Sequence, residues 1–264
     1  MLEIKNMKIF VFDIETVPDI HSGKKLLDLE GLTDLEVAQA MFAKAKADTG
    51  KTFIRHHLQK IVAISAVFRN NDTVKVWSLG EPHSSEAELI ERFFSGIDKF
   101  MPTLVSWNGS GFDLPVLHYR ALLHGIAAPT YWEAGEGDNQ FKWNNYLNRY
   151  HARHLDLMDV LSAYQGKACA SLQDIAVMLD LPGKMGMAGD KVWDAYSQAE
   201  HHSIRDYCET DVLNTYLIYL RFELMRGKLN KEEYALECDL VKSTLRESNQ
   251  PHLMEFLKNW TATV

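Results

Sequence analysis

Residues 8–12 read Lys-Ile-Phe-Val-Phe and run directly into Asp13-Ile14-Glu15. An unbroken run of β-forming apolar side chains describes a strand buried on both faces. The rest of the chain agrees with such a strand. Residues 61–68 and 73–79 are two further strand candidates, joined by the polar turn Arg69-Asn70-Asn71-Asp72 as in a hairpin. A helix starts at Ser84 or Ser85, with Glu88 placed to complete a capping box. Leu89, Phe93 and Ile97 give that helix a buried stripe, and Pro102 ends it. A strand over 103–107, a loop over 108–111 and a helix over 114–123 closed by Gly125 follow. Residues 24–47 are expected to form a helical insertion, 132–154 are irregular, and 171–179 are helical. A glycine-rich loop spans 183–189, a long helix 204–225, and two tail helices divide near Pro251. This order of elements predicts one α/β domain around a mixed sheet.

The longest apolar run, 61–68, is far short of the roughly 20 residues that a membrane-spanning helix needs. The N-terminus, with Glu3 early and acidic residues soon after the apolar run, does not resemble a signal peptide. Cys169, Cys208 and Cys238 are odd in number and lack C-x-x-C spacing, which suits a reducing cytoplasm. With 28 basic and 36 acidic side chains the net charge is −8, which argues against a broad electrostatic coat for nucleic acid. It leaves open a cleft that holds one strand end through metal ions.

Four features could carry chemistry. Asp13 and Glu15 sit at i and i+2 of a strand and so share a face, where two carboxylates repel unless a cation lies between them. Asn108-Gly109-Ser110-Gly111-Phe112-Asp113 joins a strand to a helix, and Asp113 falls near the helix N-terminus, where negative charge is favoured. Tyr207 and Asp211 are one turn apart on the long helix, off its Leu213–Leu217–Leu220–Leu224 stripe. Residues 139–155 contain no acid and interleave Phe141, Trp143, Tyr146 and Tyr150 with Lys142, Arg149 and Arg153, as a single-strand binding surface does. Each has a plain structural reading too: a strand-end pair, an N-cap, a helix-surface pair, and partly buried aromatics with a basic face. Glu209 reads as a solvated helix residue.

Taken together and in this order, the motifs resemble the tyrosine branch of the DEDD superfamily of 3′–5′ exonucleases. They are most similar to the stand-alone bacterial family related to the proofreading domain of B-family DNA polymerases. The residues carrying the resemblance are Phe12-Asp13-Ile14-Glu15-Thr16, Asn108 through Asp113, and Tyr207 with Asp211. The segments His154-Leu155-Asp156-Leu157-Met158-Asp159 and Leu181-Pro182-Gly183-Lys184 also belong to it. It covers about 7–226, an exonuclease domain of 1–226 with the insertion at about 24–49. A helical extension of 227–264 is expected to pack on that domain, with no polymerase domain expected in the remainder. The resemblance implies a ribonuclease-H-like mixed sheet flanked by helices and a two-metal mechanism using Mg²⁺ or Mn²⁺. Asp13, Glu15, Asp113 and Asp211 would hold the metals, and Tyr207 would orient the attacking water. Thr16, Asn108 and Phe112 would meet the terminal nucleotide. Arg149 and Arg153 are expected to bind the strand. Asp156 and Asp159 are expected to cap or brace, and Lys184 to lie on a solvated loop. The implied substrate is single-stranded DNA, with RNA left open. A non-catalytic nucleic-acid-binding module on the same fold, an RNA-directed exonuclease and an endonuclease are the alternatives. No membrane partner is expected, and the sequence does not identify protein partners.

Overall fold

The computed structural model describes residues 8–261, so the expectation resting on Glu3 lies outside them. Strand β1 (Ile9–Pro18) is central. On one edge it pairs antiparallel with β2 (Gln59–Asn70), which pairs antiparallel with β3 (Thr73–Ser78). On the other edge it runs parallel to β4 (Thr103–Ser106), and β4 runs parallel to β5 (His154–Asp156). The order β3-β2-β1-β4-β5, with β2 reversed against the others, is the ribonuclease-H-like mixed sheet of an α/β fold.

Helices cover both faces. Phe10, Phe12 and Ile14 pack with α3 (Glu86–Phe100), α4 (Asp113–His124) and α5 (Pro129–Trp132). Ile9 and Val11 pack on the opposite face with the long helix α9 (His201–Met225). Between these lie α6 (Leu157–Leu161), α7 (Leu172–Met178) and α8 (Val192–Ser197). The tail forms α10 (Lys231–Ser248) and α11 (Pro251–Asn259), whose Tyr234, Val241, Leu253 and Phe256 join the core around α9. Buried Arg69 on β2 donates to Glu237 of α10 through Nε at 2.8 Å and Nη2 at 2.7 Å, which fixes α10 to the sheet. Among the described residues no helix is long and apolar enough to cross a membrane.

Three local expectations change. The opening strand does not stop at the acidic pair. β2 continues to pair with it down to Pro18↔Gln59, past a bulge between Glu15 and Thr16, so the strand extends with its partner. The insertion is two helices, α1 (Ile20–Leu26) and α2 (Asp34–Thr49). Thr33 and Glu36 form a reciprocal capping box that starts α2 afresh. The irregular middle region leads into β5, a strand too short to show period-two alternation.

Candidate active site

Period two aims the acidic pair. Asp13 and Glu15 continue the row of Ile9 and Val11, which faces α9. Val17, further along that row, packs with Tyr207 and Cys208 of α9. Tyr207 and Asp211, one turn apart, therefore meet the two strand carboxylates. One ligand-capable atom each of Asp13, Glu15 and Cys208 lies within 4.8 Å of the other two.

Asp113 arrives from the other edge. β4 pairs with β1 only as far as Val11↔Val105, after which that edge of β1 lacks a strand partner. There the Asp113 carboxylate accepts the Ile14 N–H at 3.1 Å. One residue of α4 thus completes the strand edge beside Asp13. The loop that delivers it is pinned from below. Asp156, at the end of β5, accepts from the backbone N–H of Asn108 and of Ser110 at 2.9 Å each while capping α6. Asn108 is left-handed at φ 64°, and a Cβ on Gly109 would collide with the Ser106 hydroxyl, which is hydrogen-bonded to His154 at 2.8 Å. Glycine is needed there because the Ser106 side chain fills the space a Cβ would take.

The electrostatics follow from crowding. Burial, then the charges of Asp113, Glu15 and Asp211, push the Asp13 carboxyl well above the usual carboxylate range. Burial and the charges of Asp211 and Asp113 do the same to Glu15. Asp113 is pushed up to about 7, chiefly by burial. Asp211 is raised to about 6 by burial, against the pull of a hydrogen bond from Tyr207 and the charge of Lys184. Burial also raises the Tyr207 phenol, so it remains a donor. The buried Asp211 Oδ1 has no hydrogen-bond partner among the described residues. Buried like charges with an orphaned oxygen cost free energy unless a cation joins them. An all-carboxylate donor set suits a hard divalent ion, so these residues fit the metals that the resemblance implies.

The remaining expected residues divide. Thr16 donates to Gln59 at 3.0 Å. Asn108 and Phe112 border the site by position, and the Phe112 ring lies against Phe53 and His56. Arg149 pairs with Asp159 at 2.7 Å, stays half exposed and lies over the rings of Tyr150 and Tyr164. Arg153 donates to the Asn144 carbonyl at 2.7 Å and covers the Phe141 ring, so the loop engages it. Of the aromatics in 139–155, Phe141 and Tyr146 are core, whereas Trp143 and Tyr150 are 79% and 70% exposed. The expected single-strand surface there is therefore half structural. Glu209 is not solvated either. It accepts from Ser78 at 2.7 Å and bonds His252 of α11 at 2.8 Å. Lys184 lies with Nζ 5.9 Å from the Tyr207 ring centroid, close enough to act on Asp211 and Glu15. Its signal was the Leu-Pro-Gly-Lys segment. Cys208 against Asp13 had none beyond its place beside Tyr207.

Asp156→Ala tests the loop anchor. Freeing two backbone donors and a helix cap is expected to cost about 1–3 kcal/mol of stability. Any activity at the carboxylates should fall at least about tenfold, because Asn108 to Asp113 lose their register. Thermal melts and nucleotide-release rates, with Asp156→Asn as the milder variant, check this. A wild-type rate in the alanine variant would show that the loop holds itself.

Residues 51–260 match the family described as "Predicted 3'-5' exonuclease related to the exonuclease domain of PolB". The match includes Asp113, Tyr207 and Asp211 and begins after Asp13 and Glu15. A solved family B DNA polymerase from the hyperthermophilic archaeon Pyrobaculum calidifontis shares 14% identity with this chain. The superposition covers 95% of this chain and 27% of that one, with a TM-score of 0.47. No curated protein matches. With the family match spanning most of its length, the chain belongs to the predicted 3′–5′ exonucleases related to the exonuclease domain of PolB.

Proposed function

We propose that this protein is a metal-dependent 3′–5′ exonuclease that releases nucleoside 5′-monophosphates from single-stranded 3′ ends, with DNA as its substrate. The observation that carries the reading is the meeting of four carboxylates from β1, α4 and α9, each raised above its ordinary range. Asp13, Glu15 and Asp211 would hold one ion, and Asp13 with Asp113 a second. Two bound Mg²⁺ or Mn²⁺ ions would supply an activated water and offset charge on the leaving 3′ oxygen. Tyr207, a protonated phenol beside Asp211, would orient that water toward phosphorus. Water attacks, the bond from phosphorus to the 3′ oxygen breaks, and that oxygen takes up a proton. Asn108, Phe112 and Thr16 would seat the terminal nucleotide. We read 1–226 as the exonuclease domain and 227–264 as an extension packed on it.

With Mg²⁺ or Mn²⁺, a 5′-labelled single strand should shorten one nucleotide at a time, and a 3′-label should leave as mononucleotide. A circular strand should stay intact. Matched DNA and RNA oligomers, single and double stranded, decide the substrate. Cleavage of the circle would establish an endonuclease, and binding without shortening a non-catalytic module.

A further inference from the structure

In a chain of net charge −8, residues 49–71 contain no acidic side chain. Their first part, 51–58, lies between α2 and β2 and carries Lys51, Phe53, Arg55, His56 and His57. The segment is fixed at several points beside the site. Ile54 is buried among Val37 and Met41 of α2. Gln59 accepts from Thr16 and donates to the Ile54 carbonyl at 2.9 Å. His56 Nε2 lies 2.9 Å from the Gly111 carbonyl. It is thus tied to both chain stretches that bring in Asp13 and Asp113.

Its one large apolar side chain left in the open is Phe53, 51% exposed. The ring stands edge-on to Phe112, 5.5 Å between centroids, with His56 at 5.7 Å. Lys51 and Arg55 are exposed, and neither forms an ion pair among the described residues. Asp48 of α2 lines the same cavity as Phe53 and Arg55 and is paired to Lys44 at 3.2 Å. An aromatic face flanked by free cations on an acid-free stretch is what a base and its neighbouring phosphates require. It lies one ring beyond Phe112, which itself adjoins Asp113.

We infer that residues 51–57 form a stacking platform for single-stranded nucleic acid. Phe53 packs on the base next to the terminal nucleotide, and Lys51 and Arg55 hold the phosphates on either side. This rests on the exonuclease reading, in which Phe112 meets the 3′-terminal residue. It makes the substrate preference sequence-tolerant, because every base offers a flat face to an aromatic ring. It also locates strand affinity in a local patch, consistent with an acidic protein overall.

The test is binding of a fluorescent single-stranded oligonucleotide in Ca²⁺, together with KM and kcat in Mg²⁺. Phe53→Ala should weaken binding and raise KM about tenfold, and Phe53→Trp should restore both. Arg55→Ala should lower the slope of log affinity against log salt by about one. An abasic site at the penultimate position should weaken the wild type to the level of Phe53→Ala, and should not weaken that variant further. A structural role for the ring would not produce that non-additivity. Equal binding by Phe53→Ala and wild type, or an abasic penalty undiminished in Phe53→Ala, overturns the platform. If Phe53→Ala proves unstable, Phe53→Leu keeps the apolar contact without a stacking face and should show the same loss. If the wild type binds but never shortens the strand, the exonuclease reading fails while the binding comparison still decides the platform.

Discussion

Asp13→Asn and Asp211→Asn are each expected to abolish nucleotide release and, in the metal-free protein at about pH 8, to raise the melting temperature. The two effects have one cause. In the folded chain Asp13 faces the charges of Asp113, Glu15 and Asp211 in a desolvated setting. A neutral amide removes one like charge and offers N–H donors to the carboxylates that remain. Removing an uncompensated buried charge stabilises by about 1–3 kcal/mol. At about 2–4 °C per kcal/mol for a chain of this size, that is roughly 3–10 °C. Asp211→Asn acts similarly, since its Oδ1 is buried without a partner. The same change removes a donor that a metal requires. Loss of at least about 10³-fold in rate corresponds to about 4 kcal/mol of transition-state stabilisation. Opposite signs for activity and stability mark a site held in tension for function. An ordinary core aspartate would lower both. Melts in chelator and single-turnover release of mononucleotide measure the pair of effects. A lower melting temperature in both variants, with activity retained, would show that these carboxylates brace the fold and do not hold metal.

Much of this tension was legible in the residues and some was not. The two-residue spacing of Asp13 and Glu15 and the four-residue spacing of Tyr207 and Asp211 set their faces directly, because strand and helix periods are fixed. Asp113 was legible as a helix-start acid. Its real partner, the Ile14 N–H, follows from β4 leaving the β1 edge early, and no local pattern encodes that. Asp156 reaches Asn108 across 48 residues, so its place under the loop emerges only when β4 and β5 pair. Glu209 misled for the same reason. An isolated acid on a helix reads as solvated, yet Ser78 is 131 residues away in sequence and His252 is 43. The acid-free stretch 139–155 looked like the strand-binding surface because composition registers charge and aromaticity without burial. Phe141 and Tyr146 turned inward, whereas the shorter, aperiodic segment with Phe53 lay open beside Phe112.

Without divalent ions the four site carboxylates are expected to contribute less and less to stability as pH rises from about 4 toward 8, and added Mg²⁺ or Mn²⁺ to stabilise the protein most at the alkaline end. Unfolded aspartates titrate near about 3.9. Folded Asp211 titrates at about 6 and folded Asp113 at about 7. Over that window the folded carboxylates keep protons that their unfolded counterparts have released, so their contribution to stability falls with rising pH, while buried His118 and His154, lowered to about 4, act in the opposite sense. Asp13 and Glu15, also raised, extend the fall upward. A divalent ion occupies the same oxygens and must displace those protons, so its apparent affinity grows as they leave. At about 100 times its dissociation constant it adds about 2.7 kcal/mol, or roughly 5–10 °C. The quantity to measure is the melting-temperature increment between excess Mg²⁺ and chelator at each pH. Titrations elsewhere in the molecule cancel in that difference. The increment should be small near about pH 5, largest near about pH 8, and absent in Asp13→Asn and Asp211→Asn. An increment that is flat with pH, or retained in both variants, would place the ion somewhere other than among these four carboxylates.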